Sequence, residues 1–188
     1  MIDFLENHYV EDTVGNFRLK YSKEKFRWGA ATPGYIKDLH FLVRSTKTGK
    51  ILASIMGCPK KMVLCGKTIN KTCEVNFLAV HASLRTKRMA QTVIQEMMRR
   101  KRMHGFMQAY YTSGHTMPTP FSTTHYMNRF INVDKLVKIQ YTNCPAGMTV
   151  KDMVRKYKLP DKKGINIIGN IRAMEKKDVS DVLKLHMQ

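Results

Sequence analysis

The clearest hydrophobic pattern in the chain is helical, and it covers residues 88–103. Apolar side chains recur there at i, i+3, i+4, i+7 and i+8, which places them on one face of a helix. These positions are Ala90, Val93, Ile94, Met97 and Met98. Basic residues fill the last turn, where they suit the helix dipole, and Gly105 is suited to end the helix. The pattern predicts a helix over Arg88–Met103.

Short apolar or alternating runs on both sides of this helix predict strands. The runs are Phe17–Tyr21, Leu39–Arg44, Ile51–Met56, Lys61–Cys65, Cys73–Val80, Phe106–Tyr111 and Leu136–Thr142. Turn residues at Thr48–Gly49 and at Gly66 separate the runs between residues 39 and 80. We therefore expect that part of the chain to form an antiparallel meander.

Further helices complete the predicted element order. They are expected over residues 1–12, from the capping residue Ser22 to Pro33–Gly34, over Met148–Tyr157 and over Asp178–His186. Several antiparallel strands followed by a strand, a helix and a strand make an α+β, or mixed α/β, fold with a mostly antiparallel sheet flanked by helices. This order resembles the plan of the acetyltransferase-like (GNAT) acyl-CoA fold.

Charge narrows the classes of partner. The chain has 188 residues, the size of one ordinary domain, with 33 Lys and Arg against 14 Asp and Glu, a formal net charge of +19. Such an excess attracts polyanions, namely nucleic acid, the ribosome, an acidic membrane or a phosphate-rich cofactor. A solvated basic surface without a partner is the alternative. Because RNP, KH and zinc-knuckle patterns are missing, specific nucleic-acid binding is not expected.

Cysteine usage and the chain start bear on the compartment. The four cysteines, Cys58, Cys65, Cys73 and Cys144, have no CxxC or CxxH spacing, so we expect neither a metal site nor a disulfide framework. Residues 1–10 carry two acids and do not read as a signal peptide, and no apolar run approaches the ~20 residues of a membrane span. The expectation is a cytoplasmic protein.

A basic cluster lies where a predicted strand leads into the main helix. Arg85, Thr86, Lys87 and Arg88 stand at this junction. Backbone amides at a helix N-terminus, helped by the helix dipole, bind phosphate, and nearby cations strengthen the effect. The stretch is neither a Walker loop nor GxGxxG, so both a pyrophosphate site and a solvated basic turn remain open.

The same stretch carries a family resemblance. It is similar to the signature segment of eukaryotic N-myristoyltransferases (glycylpeptide N-tetradecanoyltransferases), and further matches follow in the same order over essentially the whole chain. The matching segments are YVEDTVGNFRLKYS (Tyr9–Ser22), PGY (Pro33–Tyr35), EVNFLAVHASLRTKRMAQTVIQEMMRR (Glu74–Arg100), QAYYTSGHTMPTPFSTTHYMNR (Gln108–Arg129), MTVKDMVRKYKLP (Met148–Pro160) and IRAMEKKDV (Ile171–Val179).

The resemblance implies a donor, a reaction and donor-binding residues. The family transfers myristate from myristoyl-CoA to the amine of an N-terminal glycine, without a metal, and has two acetyltransferase-like halves. Backbone amides at Phe77 and Leu78 are expected to form the oxyanion hole for the thioester. Ala79 and Val80 are expected beside the thioester. The expected phosphate-binding turn is Arg85, Thr86, Lys87, Arg88, Met89 and Ala90.

The resemblance also implies acceptor residues. The expected contacts to a peptide with an N-terminal glycine are Glu11, Asp12, Phe17, Leu19, Tyr21, Thr112 and Asn128. Some positions depart from the family pattern. Thr13, Val14 and Gly15 interrupt an acidic run, which weakens attraction for basic peptides. Asn128 stands where the family has a histidine, so it can donate a hydrogen bond but cannot titrate in the working pH range.

Residues 1–188 are expected to correspond to the N-terminal, acyl-CoA-binding half of the family, without the C-terminal half. In the family the C-terminal carboxylate is the base that deprotonates the glycine amine, and a base of this kind contributes ~10²–10⁴ in rate. Three alternatives therefore stay open. The chain is an N-myristoyltransferase, a catalytically impaired relative that only binds acyl-CoA, or a basic module for nucleic acid, ribosome or acidic membrane.

Overall fold

The computed structural model describes residues 1–12, 15–114, 117–159 and 171–187. Thr13, Val14 and Pro160, named above with the family motifs, lie outside the described residues. The chain divides into two compact units, Met1–Pro120 and Phe121–Gln188, and each is described by itself. Within the described ranges, no helix is both long enough and apolar enough to cross a bilayer.

The first unit is built on a four-stranded sheet with the strand order β1-β2-β3-β4. The strands are β1 His40–Arg44, β2 Ile51–Leu64, β3 Lys67–Val80 and β4 Gln108–Tyr110. The first three pair antiparallel, which confirms the predicted meander. β4 is parallel to β3 and pairs with it only from Thr72 to Glu74. Because β3 continues to Val80 beyond that pairing, the two strands part.

The long hairpin of β2 and β3 corrects two predicted boundaries. The runs Ile51–Met56 and Lys61–Cys65 are not separate strands, because β2 continues through Pro59, which pairs with Cys73. β3 starts at Lys67, before the predicted Cys73. Cys65 and Gly66 make this possible, since both have a positive φ, 49° and 73°, as a two-residue hairpin turn requires.

Helices cover both faces of this sheet. The helices of the first unit are α1 Ile2–His8, α2 Lys23–Ala30 and α3 Met89–Met103, with 3-10 helices at Lys37–Leu39 and Ala82–Lys87. α3 packs on one face through a cluster that includes Ile55, Val93 and Met97. α1 and α2 pack on the other face, through a cluster that includes Leu5 and Ala30.

The predicted helix ends are chemically satisfied. The Ser22 hydroxyl accepts a hydrogen bond from the Lys25 amide at 3.1 Å, which confirms Ser22 as the cap of α2. Gly105 has φ 80° directly after α3, and its amide donates to the Arg102 carbonyl at 2.9 Å. An L side chain is strained at such a φ, which explains why the helix ends at a glycine.

The N-terminal segment differs from its prediction. α1 ends at His8, so the acidic residues Glu11 and Asp12 lie outside the helix. The predicted strand Phe17–Tyr21 is not a named strand, and Arg18 forms only an isolated bridge with Glu11. The Asp12 carboxylate accepts a hydrogen bond from the Phe17 amide at 2.8 Å. This bond turns the chain back on itself and leaves too few residues for a strand ladder.

The second unit contains three α-helices among the described residues, α4 Val133–Lys138, α5 Val150–Lys156 and α6 Val179–His186, and a 3-10 helix at Lys176–Asp178. α5 and α6 confirm two predicted helices. The predicted strand Leu136–Thr142 is wrong, because its first half belongs to α4. Asn132 caps that helix by accepting from the Lys135 amide at 3.0 Å, and Asp134 pairs with Lys138 one turn later at 2.7 Å. Local capping and pairing outweigh the alternating pattern.

Candidate functional site

A β-bulge interrupts β3 at Phe77 and Leu78. Ser54 pairs with Ala79 and Met56 pairs with Asn76, so three steps along β3 face two steps along β2. Phe77 has φ 54°, in the left-handed region that a bulky residue seldom adopts. A bulge leaves its extra residue out of the regular ladder and re-aims the chain. The two predicted oxyanion-hole residues are therefore those that the bulge displaces.

The bulge also reverses which side chains face α3. Before it, Cys73 and Val75 face the α3 cluster, and after it Leu78 and Val80 face the same cluster. Phe77 belongs instead to the cluster on the opposite face. There its ring packs on the aromatic rings of Tyr9, Tyr21 and Phe26 with centroid distances of 5.8, 5.7 and 5.2 Å. These rings fix the Phe77 side chain while its backbone lies at the strand interruption.

Ser54 holds the bulge from the neighbouring strand. Its side chain is fully buried, and its hydroxyl donates a hydrogen bond to the Phe77 carbonyl oxygen at 2.8 Å. A buried carbonyl at a disrupted ladder needs a donor, and the hydroxyl supplies one. The sequence analysis missed Ser54. The available signal was a lone hydroxyl in the otherwise apolar run Ile51–Met56.

A cleft opens where β3 and β4 part. Its volume is about 720 Å³, and it lies between β3, α3 and the residues that follow β4. Its walls include Asn76, Phe77 and Leu78 from β3, Ile94, Met97 and Met98 from α3, and Tyr111, Thr112 and Ser113 after β4. The structure therefore brings Phe77, Leu78 and Thr112 to one cleft. The predicted loop from Thr112 supplies part of its rim.

Lys101 is a buried cation beside this cleft, and the sequence analysis missed it. It belongs to α3, its side chain has no solvent exposure, and its ammonium donates to the Phe106 carbonyl at 3.0 Å and to the Met107 carbonyl. Burial, aided by nearby Arg102, lowers the pKa of the Lys101 ammonium. The two bonds tie the end of α3 to the chain that enters β4. They thus fix one wall of the cleft.

The predicted phosphate turn is a 3-10 helix followed by an uncapped helix N-terminus. Arg85, Thr86 and Lys87 lie in the 3-10 helix Ala82–Lys87, and Arg88 has φ 57° at the junction with α3. No side chain caps α3 among the described residues. Lys87 and Arg88 are exposed, and neither pairs with an acidic side chain in the part of the chain that the structure describes. Met89 and Ala90 begin α3 and are half-buried.

Arg85 is already engaged, unlike its neighbours. Its guanidinium forms an ion pair with the Glu11 carboxylate and donates to the His8 carbonyl oxygen at 3.2 Å. The hydrogen bond from Arg85 holds the pKa of the Glu11 carboxyl below its usual range. Arg18 approaches the same carboxylate at 3.9 Å. Arg85, which is predicted to bind phosphate, therefore pairs with Glu11, which is predicted to bind peptide.

The remaining peptide-site predictions are distributed differently. Asp12 holds the Phe17 amide, Tyr21 packs half-buried on Phe77, and Leu19 is 40% exposed. These residues all lie in the first unit. Asn128 is exposed and lies in the second unit. Across the described ranges, no group of three or more His, Cys, Asp or Glu side chains could hold a metal ion.

Sequence comparison with known proteins shows the family of the chain. Residues 1–124 match the family described as myristoyl-CoA:protein N-myristoyltransferase, N-terminal domain. Glycylpeptide N-tetradecanoyltransferase 1 of Arabidopsis thaliana is 39% identical over 183 residues, which cover 97% of this chain and 41% of the relative. The corresponding transferase of Plasmodium falciparum is 38% identical over 183 residues, 97% of this chain and 44% of the relative.

A solved structure extends the similarity to the fold. Saccharomyces cerevisiae N-myristoyltransferase with bound myristoyl-CoA matches with a TM-score of 0.84 and 36% identity, covering 98% of this chain and 43% of that chain. The match confirms the predicted α+β fold class. The chain spans about two-fifths of the length of the curated Arabidopsis relative, 41%.

Proposed function

The chain belongs to the N-myristoyltransferase family, and on that premise we propose that it binds myristoyl-CoA and serves the transfer of myristate to the amine of an N-terminal glycine. One juxtaposition carries the proposal. The bulge at Phe77 and Leu78, the cleft of about 720 Å³ and the uncapped basic start of α3 lie together in the first unit. We further propose that residues 1–188 act as the acyl-CoA-binding part of such an enzyme.

The thioester is proposed to lie at the bulge. Attack on a thioester carbonyl places negative charge on its oxygen, and backbone amides that are fixed in advance stabilise that charge. A bulge can supply such amides because its extra residue is outside the ladder. Ser54 and the aromatic packing of Phe77 fix the position of this backbone. Loss of one donor of this kind typically costs ~10²–10³ in rate.

The CoA phosphates are proposed to lie at the start of α3. Two exposed cations, Lys87 and Arg88, pair with no acidic side chain among the described residues, and no side chain there caps the first amides of the helix. These cations and amides are therefore available to bind phosphate. Arg85 contributes less in this state, because Glu11 already neutralises it. Thr86 is exposed and can donate its hydroxyl. The phosphate turn therefore divides into one engaged cation and two available ones.

The acyl chain is proposed to occupy the cleft. Its volume of about 720 Å³ falls in the ~300–1,000 Å³ range of ligand sites, and apolar walls such as Ile94, Met97 and Met98 suit a hydrocarbon. Thr112 lies at the rim of the cleft and is proposed to contact the incoming amine. The residues that line the cleft include no carboxylate and no histidine in the described part of the chain. Lys101 also lines the cleft, but its ammonium donates to the Phe106 and Met107 carbonyls.

The absence of a carboxylate or histidine among the described residues that line the cleft favours the second candidate, a protein that binds acyl-CoA without transferring the acyl group. A transfer assay decides between them, with radiolabelled myristoyl-CoA, a glycine-starting peptide and an alanine-starting control peptide. Acylation of the glycine peptide alone supports the full proposal. Binding of myristoyl-CoA without acylation supports the second candidate, and the absence of both overturns the assignment.

Two finer expectations join the proposal. A cytoplasmic location agrees with the free cysteines Cys58, Cys65, Cys73 and Cys144, since a reducing compartment keeps thiols free. Association with the ribosome or an acidic membrane is supported by the net charge of +19. Fractionation of cells that express the tagged chain, followed by a high-salt wash, tests both expectations.

A further inference from the structure

The hairpin of β2 and β3 extends beyond the rest of the first unit. β1 pairs with β2 only as far as Met56, and β4 starts at Gln108, which pairs with Thr72, so neither neighbouring strand follows the hairpin to its turn. The Lys71 ammonium nitrogen also lies 3.6 Å from the position that a Cβ at Gly105 would take, which places the end of α3 beside Lys71. From Thr72 to the turn the two strands project about 17 Å further. We call residues 60–71 the hairpin tip.

The hairpin tip is basic and carries no acid of its own. Its sequence is KKMVLCGKTINK, with four lysines and neither Asp nor Glu. Lys60 pairs with Glu74 at 3.7 Å. Within the described ranges, Lys61, Lys67 and Lys71 pair with no acidic side chain, and all three are exposed. The tip therefore presents three uncompensated charges within a short span.

Exposed apolar side chains lie among these charges. Gly57 faces α3, because a Cβ there would meet Met97 at 3.1 Å. The register shift between Lys60 and Met62 adds its extra residue to β3, so alternation along β2 puts Lys61 and Val63 on the same face as Gly57. Val63 is 67% exposed. At the end of α3, Met103 is 69% exposed and Arg102 is exposed without an acidic partner in the described residues. Apolar and basic groups thus share one end of the unit.

We propose that the hairpin tip is a docking surface for anionic lipid. Lysines beside a bilayer meet the negative potential of acidic headgroups, and apolar side chains gain by entering the interface. Nucleic acid would leave Val63 and Met103 in water. The tip also has no aromatic side chain on which a base could stack. The combination of charge and exposed apolar surface therefore favours lipid over nucleic acid.

The surface is separate from the acyl-CoA cleft. The cleft is lined by Asn76, Phe77 and Leu78 at the other end of β3 and by no residue of the hairpin tip. A bilayer at the tip would leave that part of the cleft uncovered. The proposal rests on the acidic-membrane association proposed above and assigns it a surface. Because it is measured without any acyl-CoA, its failure is distinguishable from a failure of acyl-CoA binding.

The test is co-sedimentation of the full chain with extruded vesicles in low salt. Vesicles of phosphatidylcholine with about one-third phosphatidylserine are compared with vesicles of phosphatidylcholine alone. We expect binding to the anionic vesicles, which high salt reduces, and little binding to the neutral ones. The triple variant Lys61→Gln, Lys67→Gln and Lys71→Gln should weaken partitioning about a hundredfold, since each lysine near the surface contributes about fivefold.

A matched control separates this surface from the net charge. Lys37→Gln, Lys47→Gln and Lys50→Gln remove the same charge, and Lys47 and Lys50 lie in the β1–β2 connection at the far end of β2. We expect the control to change partitioning less than threefold. An equal loss in both triple variants overturns the proposal, as does equal binding to neutral vesicles. Duplex RNA that binds with the same dependence on Lys61, Lys67 and Lys71, and more tightly than the vesicles, also overturns it.

Val63→Ser tests the apolar part of the surface. Because the side chain is 67% exposed, the substitution should leave folding unchanged while it lowers partitioning severalfold. An unchanged partition coefficient contradicts insertion of the tip into the interface. Circular dichroism of each variant confirms that the comparison is made between folded chains.

Discussion

Replacing Ser54 by alanine isolates the hydrogen bond that holds the bulge. The hydroxyl is fully buried and donates to the Phe77 carbonyl at 2.8 Å. Without it, a carbonyl at the interrupted ladder loses its donor, which costs about 1–3 kcal/mol in the free energy of unfolding. The void left by one oxygen atom is small, so the unsatisfied carbonyl dominates this figure. Urea denaturation followed by circular dichroism measures it.

A matched serine provides the control for this substitution. Ser83 also forms a hydrogen bond, to the His81 ring nitrogen at 2.9 Å, but it is exposed, so water can replace its hydroxyl. Ser83→Ala should therefore change the free energy of unfolding by less than about 0.5 kcal/mol. If Ser54→Ala is as stable as the wild type, the bulge does not depend on Ser54. The same result would refute the role given to this bond in fixing Phe77.

A functional consequence follows for any transfer that the chain supports. Once Phe77 is no longer held by Ser54, its backbone should move away from the thioester oxygen. The turnover rate should then fall by at least tenfold, toward the ~10²–10³-fold loss in rate that follows removal of one oxyanion-hole donor. The affinity for myristoyl-CoA should change little. A parallel loss of affinity and turnover would indicate general damage to the cleft instead.

Three further predictions concern the surroundings of the cleft. Lys101→Met should lower the free energy of unfolding, measured by urea denaturation, by about 1–3 kcal/mol, because two carbonyls lose a charged donor. A more stable variant would show that the cost of desolvating the ammonium outweighs its hydrogen bonds. Burial raises the pKa of the Cys73 thiol to about 11, so only about one Cys73 side chain in a thousand is a thiolate at pH 8. Mass spectrometry after iodoacetamide treatment should therefore find Cys65 alkylated and Cys73 intact. Rapid alkylation of Cys73 would contradict its burial. Arg85 lowers the pKa of the Glu11 carboxyl, so this ion pair stabilises the fold above the ordinary pKa of Glu11, and the stabilisation is lost as the pH falls through the lowered pKa. Arg85→Met should return the Glu11 titration midpoint, measured by NMR, to the ordinary range. An unchanged Glu11 midpoint would refute the ion pair.

Local patterns predicted those parts of the fold that local chemistry determines. The 3.6-residue periodicity predicted α3, and the capping residue Ser22 predicted the start of α2. The separate runs on either side of Pro59 concealed one long strand, because the sequence does not show that a proline can sit within a paired strand. Leu136–Thr142 alternates like a strand, yet Asn132 and the Asp134–Lys138 pair select a helix.

The residues of the candidate site could be named from the sequence, but their contacts could not. The family resemblance led to Phe77, Leu78 and Arg85. Phe77, in its left-handed conformation, accepts a hydrogen bond from Ser54 in another strand, and the pairing of Arg85 with Glu11 joins positions 74 apart in sequence. Contacts of that separation arise only from tertiary packing, which a single sequence does not display.

The most direct measurement is the binding of a non-hydrolysable myristoyl-CoA thioether to the chain by isothermal titration calorimetry. The account predicts saturable binding of one ligand per chain. Lys87→Gln with Arg88→Gln should weaken it about 10–100-fold, as expected for lost charged hydrogen bonds to phosphate, whereas Lys47→Gln with Lys50→Gln should change it less than threefold. Absence of binding at high micromolar ligand, or equal weakening by both pairs, would contradict an acyl-CoA site at the bulge and the start of α3.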